Sequence, residues 1–133
     1  MTEQTLIILK PDSVRRNLVG EILSRFEKNG FVISKLRMFT FSKEMAEQFY
    51  SVHNTKPFFN ELVTYITSGK VVSAVIAADN AIEETRKIIG KTNPQDASPG
   101  TIRGDFGNNI TENSIHASDS TESFDKEVNV VFQ

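Results

Sequence analysis

Thr5-Leu6-Ile7-Ile8-Leu9, followed at once by Lys10-Pro11-Asp12, is the stretch on which the architecture turns. The apolar run is short and compact, and it stops where a proline removes a backbone donor, so it reads as a buried strand. Working outward, Val19, Ile22, Leu23 and Phe26 recur at helical spacing, with Gly30 where such a helix would end. Phe31 to Phe41 reads as a second strand, although Ile33, Met38 and Phe39 break strict alternation. Ser42 is a candidate N-cap for a helix carrying Met45, Ala46, Phe49 and Tyr50. Pro57 can open another helix, with Phe58, Leu62, Tyr65 and Ile66 on one face and Gly69 behind it. Val71 to Ala78 is a third strand, rich in β-branched residues, and Asn80 caps a helix running through Ile82, Arg86 and Ile89 to Gly90. From Lys91 to Ile115 periodicity fails and Gly, Pro, Asn and Asp accumulate; so long an irregular stretch in a compact domain is usually functional or mobile. A short helix is expected after the Ser118-Asp119-Ser120 turn, and a last strand over Val128 to Phe132. Strands with helices between and around them predict an α+β sandwich, its sheet antiparallel or mixed.

A chain of 133 residues is most simply one domain, 1–133, and can build a core without staples. Hydrophobic content of 38% and charged content of 24% suit a globular protein and exclude a disordered one. The net charge of -2 provides no global basic field, so nucleic-acid binding is disfavoured as a primary role and any anion site must be a local cluster of Lys and Arg. Cysteine is absent, which excludes disulfides, thiolate zinc sites and a cysteine nucleophile and fits a reducing compartment. Met1-Thr2-Glu3-Gln4 shows no signal-peptide character, and the apolar runs are too short to span a bilayer. A cytoplasmic protein with no membrane partner is expected.

Chemistry concentrates in Asn113-Ser114-Ile115-His116-Ala117-Ser118-Asp119. An imidazole changes protonation near neutral pH, so a histidine among small polar residues can serve as a nucleophile without strong activation. A hydrogen-bonded structural histidine is the competing reading, and the commoner one for a lone His. Against it, His116 follows an irregular loop, Asn113 lies three residues earlier, so that a helical or turn-like backbone would put both on one side, and Ser118, Asp119 and Glu127 offer oxygens to orient the ring. Lys10 leaves a strand as a phosphate ligand would, or is a solvated lysine. Arg103, between Gly100 and Gly104, has the rigid fork that suits phosphate oxygens; Arg86 shares that chemistry or is an exposed helix residue beside Glu83. Phe58 and Phe59 read first as core, with one of them able to stack on a nucleobase. His53 is given a structural or surface role. Neither G-x-x-x-x-G-K-S/T nor G-x-G-x-x-G occurs, so any nucleotide is held without a Walker loop or a glycine-rich loop.

At these residues the chain resembles the nucleoside diphosphate kinases, from Thr5 to Phe132. The segment from Asn113 to Asp119 is similar to the family signature N-x-x-H-G/A-S-D, and Ile8-Leu9-Lys10-Pro11-Asp12, Lys56-Pro57-Phe58-Phe59 and the stretch from Thr92-Asn93-Pro94 through Ser98-Pro99-Gly100-Thr101-Ile102-Arg103-Gly104-Asp105-Phe106 are collinear with it. The resemblance implies a ferredoxin-like βαββαβ core, an α+β sandwich with a four-stranded antiparallel sheet covered by helices. It implies transfer of the γ-phosphate from a nucleoside triphosphate, typically ATP, to a nucleoside diphosphate by a ping-pong route through a phosphohistidine at His116, using Nδ1. Lys10, Arg86, Thr92 and Arg103 would bind phosphates, Asn113 and Lys10 the ribose 3'-hydroxyl, and Phe58 and Ile110 the two faces of the base. Tyr50, Ser118 and Glu127 would surround the histidine. Magnesium would bridge phosphate oxygens with few or no direct protein ligands. A homo-oligomer is implied, a hexamer first and a tetramer or dimer behind it. Val52 stands where the family usually has an acidic residue, Lys70 replaces a usual proline and Asn17 a usual glycine, and the chain stops at Gln133 where many relatives continue. The alternative of another class is a regulatory binding module that kept the fold and lost the chemistry; retention of His116, Lys10 and Arg103 speaks against it.

Overall fold

The computed structural model describes residues 2–109 and 112–132; Ile110 and the side chain of Val52 lie outside the described residues. In chain order the elements are β1 (Thr2–Leu9), α1 (Pro11–Arg15), α2 (Val19–Lys28), β2 (Val32–Phe39), α3 (Lys43–Phe49), α4 (Phe59–Ile66), β3 (Val71–Asp79), α5 (Ala81–Ile89), α6 (Ile102–Phe106), β4 (Ile115–Ala117) and α7 (Thr121–Val131). The strands form a four-stranded sheet in the order β2-β3-β1-β4. Every neighbouring pair is antiparallel, which gives the ferredoxin-like arrangement.

The alternation of side chains along a strand explains why β1 carries no polar residue from Leu6 to Leu9. Leu6 and Ile8 enter one core with Phe41, Phe49 and Ile66 and with Val131 of α7. Ile7 and Leu9 enter the other with Ile22, Phe26, Ile89 and Ile102. Both faces of β1 are thus covered by helices, and each fully buried aliphatic side chain contributes roughly 1.5–3 kcal/mol. β2 is one of the two edge strands, and its imperfect alternation corresponds to a register shift between Ile33 and Lys35. It leaves Val32, Leu36 and Met38 exposed. Among the described residues no helix is long and apolar enough to cross a membrane.

Three expectations need correction. Val128 to Phe132 is not a strand: Val128 to Val131 end α7, an 11-residue helix that begins where Ser120 Oγ accepts from Ser123 N at 3.0 Å, and Phe132 follows it. Phe124, Val128 and Val131 recur at i, i+4 and i+7, and that stripe docks on the core around β1. Packing overrides the strand preference of the valines. The fourth strand is instead Ile115–Ala117, inside the signature segment. Second, Asn80 marks the start of α5 but does not cap it with its side chain; it sits at φ 53, and Glu3 Oε1 accepts from Ile82 N at 2.8 Å. Third, the stretch from Lys91 to Ile115 contains a 3-10 turn at Pro94–Asp96 and α6, both too short to show a period. Asn17, as its tolerance of left-handed angles suggests, has φ 59.

Candidate active site

The site begins with strand register. His116 pairs with Ile8, and facing residues of an antiparallel pair share a side of the sheet, so the imidazole emerges on the Ile8 side, between α3 and α7. Phe49 of α3 meets the ring edge-on, with centroids 5.0 Å apart and planes at 72°. Glu127 of α7 places Oε1 2.9 Å from His116 Nε2 and accepts a second hydrogen bond from Ser118 Oγ at 2.8 Å. A carboxylate can only accept, so in the neutral ring Nε2 carries the proton and Nδ1 keeps its lone pair.

The turn before β4 is unusual. Ser114 has φ 78, and Ile115 N donates to Asn113 O at 3.0 Å, which closes a three-residue γ-turn. Such a backbone is strained and needs support from its surroundings. Ser114 O supplies the anchor by accepting from Lys10 N at 2.9 Å and Ser13 Oγ at 2.7 Å. The same turn aims Asn113 at Lys10: Lys10 Nζ donates to Asn113 Oδ1 at 2.8 Å, and Asn113 Nδ2 donates to Thr92 O at 2.9 Å. Asn113 and His116 therefore share the site through a turn followed by a strand, not through helical spacing.

Arg103 lies on α6, where Thr101 Oγ1 caps the helix by accepting from Gly104 N at 3.1 Å. Its guanidinium donates to Gly90 O at 3.2 Å and Ile115 O at 2.8 Å, while its buried Nε makes no hydrogen bond among the described residues. Burial first, then the neighbouring Arg86, lowers its pKa to about 10. Lys10 is pushed further, to about 8, by burial first and then by Arg103, with Asp12 acting the other way. Removal from water and mutual repulsion both disfavour cations here, so the site is set to gain from an incoming anion. Arg86 itself is exposed; the ion pairs with Glu83 and Glu84 go to Lys87.

These groups line one cleft of about 980 Å³, which also takes in Tyr50, Phe58, Thr92 and Asn93. The Tyr50 hydroxyl is held neutral, its pKa raised by burial and by Glu127. Phe58 is 42% exposed with its ring 5.5 Å from that of His53, whereas Phe59 packs into the core. Ser118 reaches the histidine only through Glu127. Ile110 falls outside the described residues. Two contributors escape a reading of the sequence. Phe49 carries the same helical period as the core, so nothing marks it as touching the histidine. Tyr65 falls on an apolar helix face, yet its hydroxyl donates to Asp12 Oδ1 at 2.5 Å; a tyrosine on a buried face needs such a partner, and that need is the available signal.

The sequence profile described as nucleoside diphosphate kinase (NDK) matches residues 3–133. The nucleoside diphosphate kinase of Staphylothermus marinus is 48% identical over 132 residues, covering 99% of this chain and 94% of that protein. That of Trichormus variabilis is 55% identical over 130 residues, covering 98% and 87%. Among solved structures, the Aquifex aeolicus nucleoside diphosphate kinase superposes with a TM-score of 0.97 at 46% identity, covering 100% of this chain and 96% of the other. A halophilic nucleoside diphosphate kinase from Halobacterium salinarum, solved in complex with CDP, superposes with a TM-score of 0.96 at 38% identity, covering 100% and 89%. Fold, cleft and relatives agree on a class, a phosphotransferase built on a ferredoxin-like sheet. The chain belongs to the nucleoside diphosphate kinase family.

Proposed function

We propose that this chain passes the γ-phosphate of a nucleoside triphosphate, typically ATP, to a nucleoside diphosphate in two half-reactions, with His116 as the carrier. The observation that supports this most directly is the pairing of His116 Nε2 with Glu127 at 2.9 Å inside a cleft lined by Lys10, Arg86 and Arg103. In the first half-reaction the Nδ1 lone pair attacks the γ-phosphorus. The N–P bond forms as the P–O bond to the diphosphate breaks, and the electron pair leaves on the diphosphate oxygen. In the second, a terminal oxygen of the acceptor diphosphate attacks the same phosphorus, and the N–P electron pair returns to Nδ1. The transferring group has a loose transition state with charge spread over its oxygens, so catalysis consists mainly of positioning and cationic stabilisation.

In this reading Lys10 and Arg103 hold the transferring phosphoryl group, Arg86 and Thr92 hold the phosphates behind it, and Asn113 with Lys10 receives the ribose 3'-hydroxyl. Phe58 lies under the base, with Ile110 opposite on sequence grounds. Glu127, Ser118 and Tyr50 orient the histidine. Stacking reads no base edge, which favours use of several nucleotides. Among the described residues no group of three His, Cys, Asp or Glu side chains gathers. The donors fit a magnesium ion carried on the nucleotide's phosphates, with the exposed Asp119 carboxylate of the cleft as the side chain able to approach it. When bound, that ion would neutralise phosphate charge.

The single-domain reading of 1–133 is supported by two cores that share one sheet. Homo-oligomerisation, a hexamer first, is supported by the exposed apolar side chains of the edge strand β2. Cytoplasmic placement rests on the absence of cysteine. The test of function is incubation with γ-labelled ATP and magnesium. An acid-labile, base-stable phosphoprotein is expected, discharged by added diphosphate and absent from His116→Ala, which still binds nucleotide. Folded protein that takes up no label would end the proposal.

A further inference from the structure

The mechanism makes no use of Asp12, yet its side chain is only 2% exposed. Its Oδ1 accepts from Tyr65 Oη at 2.5 Å, and the same Oη accepts from Asp12 N at 2.8 Å. Oδ2 is buried and makes no hydrogen bond among the described residues. A buried carboxylate left partly unsatisfied is costly unless a cation compensates it. The nearest basic residue before it along the chain is Lys10, which is 6% exposed, stands at the head of α1, whose first turn carries Asp12, and directs its Nζ to Asn113 Oδ1 at 2.8 Å. Tyr65 belongs to α4, so a separate helix clamps that turn from outside. Lys10 also faces Arg103, whose charge opposes its own.

We propose that Asp12, held by Tyr65, is the internal counter-ion that keeps Lys10 a charged phosphate ligand before any nucleotide arrives, so that both are positioning residues for the phosphotransfer. Burial and Arg103 drive Lys10 toward its neutral form, and Asp12 acts against them. Besides Lys10 and Arg103, the acidic and basic side chains that line the cleft are His53, Glu61, Arg86, Lys91, His116, Asp119 and Glu127. Glu127 is committed to His116 and Ser118, and Asp119 accepts from Ser123 Oγ at 2.7 Å. The functional half of this inference rests on the phosphotransfer reading; the charge of Lys10 does not.

Two measurements on the full chain separate the two. The first is a nucleotide-free NMR titration of lysine-labelled protein, with the Lys10 signal assigned by its loss in Lys10→Met. A midpoint near 8 is expected in the wild type, and a lower one in Asp12→Asn. An unmoved midpoint would overturn the counter-ion. The second is the pH dependence of kcat/KM for phosphorylation by ATP, which reports the free enzyme. The alkaline limb should begin at lower pH in Asp12→Asn. Where the Lys10 midpoint falls by about one pH unit, kcat/KM well up that limb drops about tenfold, while kcat at saturating nucleotide changes less. A purely structural role would lower both constants at every pH and leave the limb in place, which overturns the proposal. Tyr65→Phe keeps the charge and removes its clamp; a smaller displacement in the same direction is expected, and it serves if Asp12→Asn does not fold. A Tyr65→Phe limb superimposed on the wild type would overturn the clamp. Wild-type protein that takes up no phosphate defeats the functional reading and leaves the Lys10 titration to decide the counter-ion.

Discussion

Nε2 of His116 stands 2.9 Å from Oε1 of Glu127, a residue on the helix that follows the histidine's own strand. Because that contact fixes both the ring plane and the tautomer, Glu127→Ala should lose about 100-fold in kcat, as for a misplaced reacting group, with KM for nucleotide little altered. Ser118→Ala should lose less, because Ser118 reaches the ring only through Glu127. Steady-state kinetics of the two variants decide the matter, and an equal loss in both would contradict this order.

The lowered pKa of Lys10 predicts a pH dependence of stability. An unfolded lysine titrates at 10.5 and the folded one at about 8, so between these values the unfolded chain binds more protons and stability rises with pH. The contribution is fully present above 10.5 and is lost as pH falls through 8. It amounts to roughly 3 kcal/mol at most. Denaturant unfolding of wild type minus Lys10→Met should climb across that window, whereas a flat difference would count against the buried charge. The tyrosines with raised pKa values, Tyr50 and Tyr65, are common to both proteins and cancel.

Gly104 carries α6 past Ser98, and an added Cβ would collide with the Ser98 carbonyl, which is backbone and cannot swing away. Gly104→Ala should therefore cost about 1–3 kcal/mol of stability, as for other overpacked sites. Since Arg103 sits on the same turn, the variant should also raise KM for nucleotide. Thermal unfolding and kinetics together check this; an unchanged Tm would show that the loop yields.

Phe58 is exposed beside the cleft, so Phe58→Ala should leave stability within about 0.5 kcal/mol of the wild type. If it supports the base by stacking, affinity should fall by about 1–3 kcal/mol, and similarly for purine and pyrimidine diphosphates. Calorimetric titration with several diphosphates tests both halves. A loss confined to one base would point to edge recognition instead.

How legible this molecule is in its sequence depends on what each segment contacts. β1 and β3 declare themselves because helices cover both faces, so apolar residues dominate their buried stretches, with Ser73 the one polar residue inside that of β3. β4 pairs on one side only and over three residues, too few for any period, and it lies hidden under the motif that matters most. The valines of α7 read as a strand because the docking surface that makes them helical is distant in sequence. Lys10, Arg103 and His116 stand out by chemistry, with their company supplied by family resemblance. Phe49 and Tyr65 do not stand out, since their positions obey the same helical period as ordinary core residues.

The sheet seats β4 directly beside β1, and the last helix closes over both. Lys10 therefore waits for partners that emerge from the ribosome more than a hundred residues later. A nascent chain that has folded through α6 still lacks Asn113, His116 and Glu127, so the proposed catalytic set assembles only once α7 has followed.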